Sequence, residues 1–238
     1  MKGLLIVVNY DQESEIRRFL EQLDGHEEDL EVVVVDDGST DRSPEIAEEL
    51  GFRLLRHTAN FGVGAAIRTG INYAKSSGRF DFVVIMSSNG KMRVEDIGAV
   101  IGPINNGTAD YVQGSRFMHG GRVLQLSAFR RAAIPVYSAL SSALLRRSFS
   151  DITCGFRAYK LSLFDDPQVD LDQPWLNQYE AELYIHYHAC RGGRRIVEVP
   201  VTIDYSHLAP GRRSKIRAGT GWWSLFRPFF LLTLGIKR

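Results

Sequence analysis

The sequence of 238 residues has few cysteines and no long apolar segment, and each scarcity excludes a class of protein. Only Cys154 and Cys190 occur, neither in metal-ligand spacing, so we expect two reduced thiols rather than a disulfide or a metal site. No segment reaches the roughly 20 apolar residues of a membrane-spanning helix. The opening stretch MKGLLIVVNY is too short for a signal peptide, which favours a cytoplasmic location.

The chain also lacks a large net charge, because 29 lysines and arginines nearly balance 28 acidic residues and leave a formal charge of +1. This balance argues against general binding to nucleic acid. The charges are unevenly distributed, however. Acids dominate residues 11–49, whereas basic residues concentrate in 116–147, 191–195 and 212–217. Two interpretations stay open, a basic face for an anionic substrate and ordinary solvated surface.

Apolar segments of strand length alternate with helical segments along the first half of the chain. The segments 4–8, 32–35 and 82–86 are continuously apolar, as expected for strands of a sheet that is buried on both faces. We therefore predict an α/β fold with a mainly parallel, twisted sheet and helices on both faces. The second half is less regular, with a long helical segment at 127–147 and another at 177–193.

Polar residues cluster at the carboxyl ends of three of these strands, where such sheets bind their ligands. The clusters are 9–11, 36–39 and 87–91. In the stretch VVDDGSTDRS, the adjacent carboxylates of Asp36 and Asp37 suit hydrogen bonds to the base or ribose of a nucleotide. Capping of the following helix accounts for the polar residues after the glycine but leaves the acid pair unexplained.

The segment NFGVGAAIRTG superficially suggests a dinucleotide-binding fingerprint. That fingerprint requires glycine where Ile67 stands and should follow the first strand, so we reject it. Gly62 and Gly64 still allow backbone amides to approach a diphosphate or a base at the N-terminus of a helix.

Arginines stand in four separated motifs, namely GSRF, RR at 130–131, GFRAYK and GRRSK. Arginine binds phosphate oxygens through paired, charge-assisted hydrogen bonds. Each arginine alone is explained as a surface residue, whereas a set that converges on one pocket would form a phosphate-binding site.

Taken in order, these motifs resemble the family 2 glycosyltransferases. The stretches that carry the resemblance, between about residues 4 and 217, are VVVVDDGSTDRS, NFGVGAAIRTGINYA, VVIM followed by EDI, DYVQGSRF, DITCGFRAYK, EAEL, RIVEVPVTI and GRRSK. Within the family the chain is most similar to polyprenyl-phosphate glycosyltransferases of the dolichyl-phosphate mannose synthase type. The resemblance implies a Rossmann-like GT-A fold, a nucleotide-sugar donor and sugar transfer with inversion at the anomeric carbon.

The resemblance also implies roles for individual residues. The donor nucleotide is expected near Tyr10, Asp36, Asp37, Gly62 and Arg68. Donor or acceptor phosphates are expected at Arg116, Arg131, Arg157, Arg212, Ser214 and Lys215, with Arg116 taking part in catalysis. Glu180 and Glu182 fall where the family has an acidic residue on a helix beneath the sugar.

The chain departs from the family pattern after the strand at 82–86. The family has Asp-x-Asp and then a glutamine, and Ser87, Asn89 and Lys91 stand at those three positions. Neutral oxygens and an ammonium group are poor ligands for Mg²⁺ or Mn²⁺, which prefer carboxylates. We therefore predict no metal cofactor, with Ser87 and Asn89 at the donor and Lys91 stabilising the leaving diphosphate. If that interpretation is wrong, Mg²⁺ or Mn²⁺ is the expected cofactor.

The acceptor is expected to be a polyprenyl phosphate, since an anionic phosphate needs no general base. Residues 1–217 would form the GT-A domain. Residues 218–238, containing GWWSLFRPFFLL, would form an amphipathic tail at the cytoplasmic membrane surface, or else a helix packed on the core.

Two alternative functions stay open at the level of the sequence. One is a soluble relative that glycosylates the hydroxyl of a sugar or small molecule, with Glu180 or Glu182 as the base. The other is a nucleotide-sugar-binding protein without catalytic activity.

Overall fold

The computed structural model describes residues 1–23, 30–208 and 220–237, with side chains for all of these except 220–226. Nine strands and seven α-helices occur in these residues. The strands are β1 Gly3–Asn9, β2 Leu30–Asp36, β3 Arg53–Arg56, β4 Phe82–Ser87, β5 Tyr111–Ser115, β6 Arg122–Leu124, β7 Arg157–Lys160, β8 Ile196–Pro200 and β9 Thr202–Asp204. The helices are α1 Glu13–Glu21, α2 Ser43–Glu49, α3 Val63–Ser77, α4 Ile97–Asn105, α5 Ala128–Leu145, α6 Glu180–Arg191 and α7 Thr220–Thr233.

Seven strands form one sheet in the order β3-β2-β1-β4-β7-β5-β8. All neighbouring strands are parallel except β7, which runs antiparallel to both β4 and β5. The remaining strands, β6 and β9, form a separate parallel pair. The prediction of a mainly parallel sheet is therefore confirmed.

Helices cover both faces of the sheet, as the continuously apolar strands predict. Alternate residues of β1 point to opposite faces, because side chains along a strand alternate. Val7 packs in one apolar cluster with residues of α1 and α4, such as Phe19 and Val100. Ile6 packs in the other cluster with residues of α3 and α6, such as Ile71.

The C-terminal helix α7 packs against the domain. Its Phe229 and Leu232 are buried, and Phe229 lies in a third apolar cluster with Tyr137 of α5 and Leu183 of α6. Within the described ranges, none of the helices is long and apolar enough to cross a membrane. Cys154 and Cys190 are both free thiols, as expected.

The connectivity reverses direction at β1. The chain adds β2 and β3 on one side of β1 and then returns to place β4 on the other side. Open α/β sheets bind ligands in the crevice beyond the strand ends at such a reversal. Asn9 at the end of β1 and Ser87 at the end of β4 flank this crevice.

Candidate active site

A cavity of about 570 Å³ lies beyond the carboxyl ends of β1 and β4. Eight of the predicted donor and catalytic residues line it together with Arg157. These are Tyr10, Asp37, Gly62, Ser87, Asn89, Lys91, Arg116, Arg157 and, on α6, Glu182. Residues to which the sequence interpretation gave no individual role also line it, among them Tyr179, Tyr205 and Arg130 of the RR motif. The fold therefore brings most of the predicted site together in one place.

Asp36 and Asp37, although adjacent, have different surroundings. Asp36 is fully buried and does not line the cavity. Its carboxylate accepts hydrogen bonds from the Asn9 amide at 2.7 Å, from the Ser39 backbone N–H at 3.0 Å and from the Ser39 hydroxyl. These bonds join the ends of β1 and β2, and the donor contact of Asp36 stays a prediction.

Asp37 borders the cavity and organises the turn that precedes α3. Its carboxylate accepts the backbone N–H of Phe61 at 2.9 Å and that of Gly62 at 2.8 Å. Gly62 has φ of +109°, and an added Cβ would lie 2.2 Å from the Asn177 carbonyl oxygen. Only glycine suits this position, so the glycine signal in the sequence reflects a close backbone approach.

His57 was missed at the level of the sequence, although it contacts Asp37 directly. Its Nδ1 lies 2.8 Å from Asp37 Oδ1, and its Nε2 lies 2.9 Å from the Thr69 hydroxyl. Because a carboxylate only accepts hydrogen bonds, Nδ1 carries the proton in this contact. His57 thereby fixes the orientation of Asp37. The only local signal was a histidine that follows the strand-like stretch FRLL.

In the turn after β4, one buried serine is hydrogen-bonded to the protein interior, and the residues on either side of it line the cavity. Ser88 is fully buried and donates its hydroxyl hydrogen to Asn9 Oδ1 at 2.7 Å. Ser87, Asn89 and Lys91 line the cavity. The turn is also held from outside, because His207 Nε2 lies 2.9 Å from the Asn89 carbonyl oxygen.

The donor atoms of this turn do not fit a divalent metal ion. Ser87 offers a hydroxyl, and the Asn89 amide oxygen already accepts the Lys91 backbone N–H at 3.1 Å. In the ranges for which the structure gives side chains, no three His, Cys, Asp or Glu residues come together as a metal site. Hard divalent cations require anionic oxygens, and here an ammonium group stands in their place.

Lys91 lies against an aromatic ring. Its Nζ is 5.3 Å from the centre of the Tyr205 ring, within the range of a cation–π interaction. The Lys91 carbonyl oxygen accepts the Asp204 backbone N–H at 2.8 Å, which ties the turn to β9. Main-chain and side-chain contacts with the same segment thus define the position of this ammonium group.

Arg116 is held by a buried ion pair. Its Nε lies 2.6 Å from Asp151 Oδ2 and its Nη2 lies 2.8 Å from Asp151 Oδ1. Burial alone would lower the pKa of Arg116, but the adjacent Asp151 carboxylate raises it overall. Arg116 Nη1 also lies 3.3 Å from the Tyr205 hydroxyl. The Asp151 carboxylate therefore balances much of the positive charge of Arg116. This favours a structural role for Arg116 as a fixed part of the cavity wall.

Arg157 borders the cavity, but its guanidinium serves the main chain. It donates to three carbonyl oxygens, each at 2.8 Å, those of Ile152, Cys154 and Glu182. Its side chain is 1% exposed. These bonds direct the donors towards the protein and connect the segment before β7 to α6. The phosphate contact of Arg157 stays a prediction.

Glu182 and Glu180 separate into two environments on α6. Glu182 lines the cavity, with Oε1 at 3.6 Å from Arg157 Nε. Burial raises the pKa of Glu182, while Arg157 acts in the opposite direction. Glu180 is buried outside the cavity, where burial raises its pKa against a lowering by Arg227. Of the two acids, Glu182 is the one that lines the cavity, and the contact of Glu180 with the sugar stays a prediction.

Two further arginines with predicted roles, Arg131 and Arg68, do not line the cavity, and their contacts stay predictions. On α5, Arg130 lines the cavity, whereas Arg131 is exposed outside it. Arg68 also lies away from the cavity, where it donates to the Leu171 carbonyl oxygen and the Asn177 side chain, both at 3.0 Å. The predicted phosphate ligands Arg212, Ser214 and Lys215 lie outside the described residues.

Comparison with known proteins identifies the family. Residues 4–166 match the model of the family described as Glycosyl transferase family 2. An undecaprenyl-phosphate mannosyltransferase from Micrococcus luteus is 28% identical over 219 residues, which cover 90% of this chain and 88% of the relative. A UDP-N-acetylglucosamine–dolichyl-phosphate N-acetylglucosaminyltransferase from Methanococcus voltae is 26% identical over 248 residues, covering 97% and 96%. The predicted family resemblance is confirmed.

Solved structures agree on the fold. A glucosyl-3-phosphoglycerate synthase from Mycobacterium tuberculosis, in complex with phosphoglyceric acid, superposes with a TM-score of 0.70. The match covers all of this chain and 81% of that chain at 15% identity. The same synthase in complex with Mn²⁺ and UDP-glucose gives a TM-score of 0.69 at 17% identity, with coverage of 100% and 80%. The predicted GT-A fold is thereby confirmed.

Proposed function

This chain belongs to glycosyl transferase family 2, and we propose that it transfers a sugar from a nucleotide-sugar donor to a polyprenyl phosphate with inversion at the anomeric carbon. The observation that carries the proposal is the cavity at the ends of β1 and β4, which joins Asp37 and Gly62 to the basic residues Lys91 and Arg130. The names of the relatives, which include transferases to undecaprenyl and dolichyl phosphate, support the acceptor class.

The nucleotide of the donor is assigned to the wall made by Tyr10, Asp37 and Gly62. Asp37 is held rigidly by His57 and two backbone N–H groups, so its remaining acceptor capacity points in a defined direction. A buried acceptor of fixed orientation suits the N–H group of a base or the hydroxyl of a ribose. Ser87 and Asn89 complete the donor side of the cavity.

The acceptor phosphate is assigned to the wall made by α5 and α6. Arg130 lines this wall. It lies close enough to Tyr179 to affect its pKa, which burial and Glu182 raise and the charge of Arg130 lowers. Arginine binds a phosphate in a paired geometry. Glu182 and Arg157 line the same cavity, and we assign them to its floor under the sugar.

In the transfer step, an acceptor phosphate oxygen forms a bond to the anomeric carbon while the bond from that carbon to the diphosphate breaks. The nucleoside diphosphate leaves with the electron pair of the broken bond. Lys91 is the group that we assign to its growing negative charge, because no metal-binding carboxylates are present in this turn. An anionic phosphate needs no general base to attack. The proposed reaction therefore requires no metal cofactor.

A second candidate acceptor is a sugar or small-molecule hydroxyl. Glu182 supports it, since a cavity carboxylate with a raised pKa is suited to accept a proton from a hydroxyl. The phosphate acceptor is preferred because Arg130 shares the cavity.

We also propose that the protein works at the cytoplasmic face of a membrane, with the tail 218–238 at the interface.

The proposal is tested by incubating the purified protein with nucleotide sugars of mannose, glucose and N-acetylglucosamine and a short-chain polyprenyl phosphate. Mass spectrometry of the lipid should find a glycosyl phosphate product with one of the donors. Transfer to a hydroxyl of octyl glycosides, with no product on the polyprenyl phosphate, would favour the second candidate. Binding of donor without hydrolysis or transfer would contradict both and leave a binding protein.

A further inference from the structure

Helix α5 exposes a broad apolar side to solvent, whereas an ordinary surface helix presents a polar face there. Nine of its positions are exposed, and eight of them are apolar. The largest exposed side chains are Phe129 at 68%, Val136 at 61%, Leu140 at 60% and Leu144 at 47%. The buried side of the same helix mixes apolar and polar residues, namely Ile134, Tyr137, Ser138, Ser141 and Leu145.

The spacing of the large apolar residues produces one continuous stripe. Positions separated by three, four or seven residues lie on the same side of a helix. Val136, Leu140 and Leu144 follow at intervals of four, and Phe129 precedes Val136 by seven. We call these four residues the α5 stripe. Isolated apolar residues are normal on a protein surface, whereas a contiguous apolar face marks an interaction site.

The segment around the stripe is strongly basic. Residues 111–150 contain six arginines and no acidic residue. Arg131 lies near the start of the helix and Arg146 caps its end, both exposed. The near-zero net charge of the whole chain conceals this local excess, because the acids concentrate elsewhere.

The neighbouring helix α7 and the residues after it also expose apolar side chains within a basic part of the sequence. Its Phe229 ring lies 6.4 Å from the Tyr137 ring of α5, so the two helices are adjacent. Phe230 is 55% exposed and Leu234 is 58% exposed. Residues 205–238 contain seven lysines and arginines and again no acid.

We propose that the α5 stripe is a docking surface for an anionic lipid bilayer, with the apolar residues inserted among the acyl chains and the flanking arginines at the headgroups. Basic amphipathic helices bind membranes through this combination of apolar burial and attraction to anionic lipids. The inference rests on the proposed function for one point only. Arg130, on the same helix, lines the cavity, so a lipid phosphate would reach the site from the bilayer that α5 contacts.

A second copy of the chain is a poorer occupant of this surface. Two copies that met through α5 would bring two acid-free, arginine-rich segments together, and like charges across an interface oppose association. An anionic membrane complements both properties of the helix, its apolar side and its positive charge.

The experiment measures co-flotation of the full chain with lipid vesicles. Wild-type protein should float with vesicles of phosphatidylcholine and phosphatidylglycerol, and less with phosphatidylcholine alone or at high salt. The triple variant Val136→Gln, Leu140→Gln, Leu144→Gln should lose at least about tenfold in vesicle partitioning, because three apolar side chains leave the membrane. Leu124→Gln is the control, as Leu124 is 38% exposed on β6, outside the stripe.

Circular dichroism should give the same thermal midpoint for the triple variant and the wild type, since the replaced residues are exposed. Equal flotation of the triple variant and the wild type would overturn the proposal, as would absence of wild-type binding to anionic vesicles. A wild-type dimer in lipid-free solution that the triple variant dissociates would assign the stripe to self-association instead.

The enzyme assay separates this inference from the proposed function. The triple variant should transfer sugar to a water-soluble, short-chain polyprenyl phosphate as fast as the wild type and lose activity only on a vesicle-embedded acceptor. If neither protein glycosylates the soluble acceptor, the proposed function fails, whereas the flotation result still decides the membrane surface.

Discussion

The ammonium group of Lys91 lies over the ring of Tyr205, with Nζ 5.3 Å from the ring centre. The Tyr205 hydroxyl lies 3.3 Å from Arg116 Nη1, so one buried aromatic residue contacts both cationic side chains on this side of the cavity. This relationship gives the Lys91 ammonium group a defined position at the cavity, where its positive charge can attract a diphosphate.

Lys91→Met should lower kcat by about 10²–10³ and raise KM for the donor much less, because charge on the leaving diphosphate grows towards the transition state. Arg93→Met is the matched control, since Arg93 is an exposed cation two residues away that does not line the cavity. Wild-type activity should persist in EDTA. Loss of activity in EDTA with recovery on Mn²⁺, or a Lys91→Met enzyme as fast as wild type, would disprove the role.

Replacement of Tyr205 should separate its ring from its hydroxyl. Tyr205→Phe keeps the ring under Lys91 and should retain kcat near the wild-type value. Tyr205→Leu should lower kcat by about three- to thirtyfold, since cation–π contacts contribute about 0.5–2 kcal/mol. Steady-state kinetics with both variants is the measurement. A loss in Tyr205→Phe as large as in Tyr205→Leu would assign the effect to the hydroxyl and Arg116.

The two adjacent acids should respond differently to replacement by asparagine. Asp37→Asn should weaken nucleoside diphosphate binding by about 1–3 kcal/mol, because a charged acceptor in the cavity is lost. Asp36→Asn should lower the thermal midpoint through its buried hydrogen bonds and leave the affinity of the folded protein nearly unchanged. Calorimetric titration and thermal denaturation of both variants provide the two readouts. An affinity loss confined to Asp36→Asn would reverse the assignment.

Glu182 discriminates between the two acceptor classes. If the acceptor is a phosphate, Glu182→Gln should lower kcat modestly and leave the shape of the pH–rate profile unchanged, because no proton is removed. If the acceptor is a hydroxyl, the variant should lose about 10²–10⁴ in rate and the acidic limb of the profile. Glu180→Gln is the control, a buried acid on the same helix that lies outside the cavity.

The buried His186 should make stability depend on pH. Burial lowers its pKa well below the usual 6.5, and the nearby Arg157 and Arg147 lower it further. Below about pH 6.5 the unfolded chain binds a proton that the folded protein does not. Stability should therefore fall with decreasing pH, by up to about 1.4 kcal/mol per pH unit for this residue.

The contribution of His186 is isolated by comparing the wild type with His186→Phe in urea denaturation between pH 5 and 7.5. Glu180 and Glu182, whose pKa values are raised, act in the opposite direction in both proteins and cancel in the difference. The stability difference should shift in favour of the variant as the pH falls. A pH-independent difference would contradict this role of His186.

The architecture and the strand ends that border the cavity could be predicted from residue types and their order alone. Continuous apolar runs specify strands buried on both faces, and helix α3 is bounded by a glycine at each end, Gly62 and Gly78. The departure at Ser87, Asn89 and Lys91 is also a property of the sequence alone. The absence of metal-binding carboxylates follows from the residue types alone, so it can be inferred without the structure.

The folded structure was needed to show which member of each neighbouring pair lines the cavity. Asp37 rather than Asp36, Arg130 rather than Arg131, and Glu182 rather than Glu180 line the cavity. One residue along a helix turns the side chain by roughly 100°, and one along a strand reverses it. The local sequence does not indicate which of these side-chain directions faces the cavity.

Contacts between distant segments were equally invisible in the sequence. His57 reaches Asp37 across 20 residues, and Asp151 pairs with Arg116 across 35. The exposed apolar side of α5 also required the fold, because its spacing suits a buried face as well as an exposed one. Packing decided between them, since the side that includes Tyr137 and Ser138 meets the domain and leaves Val136 and Leu140 outside.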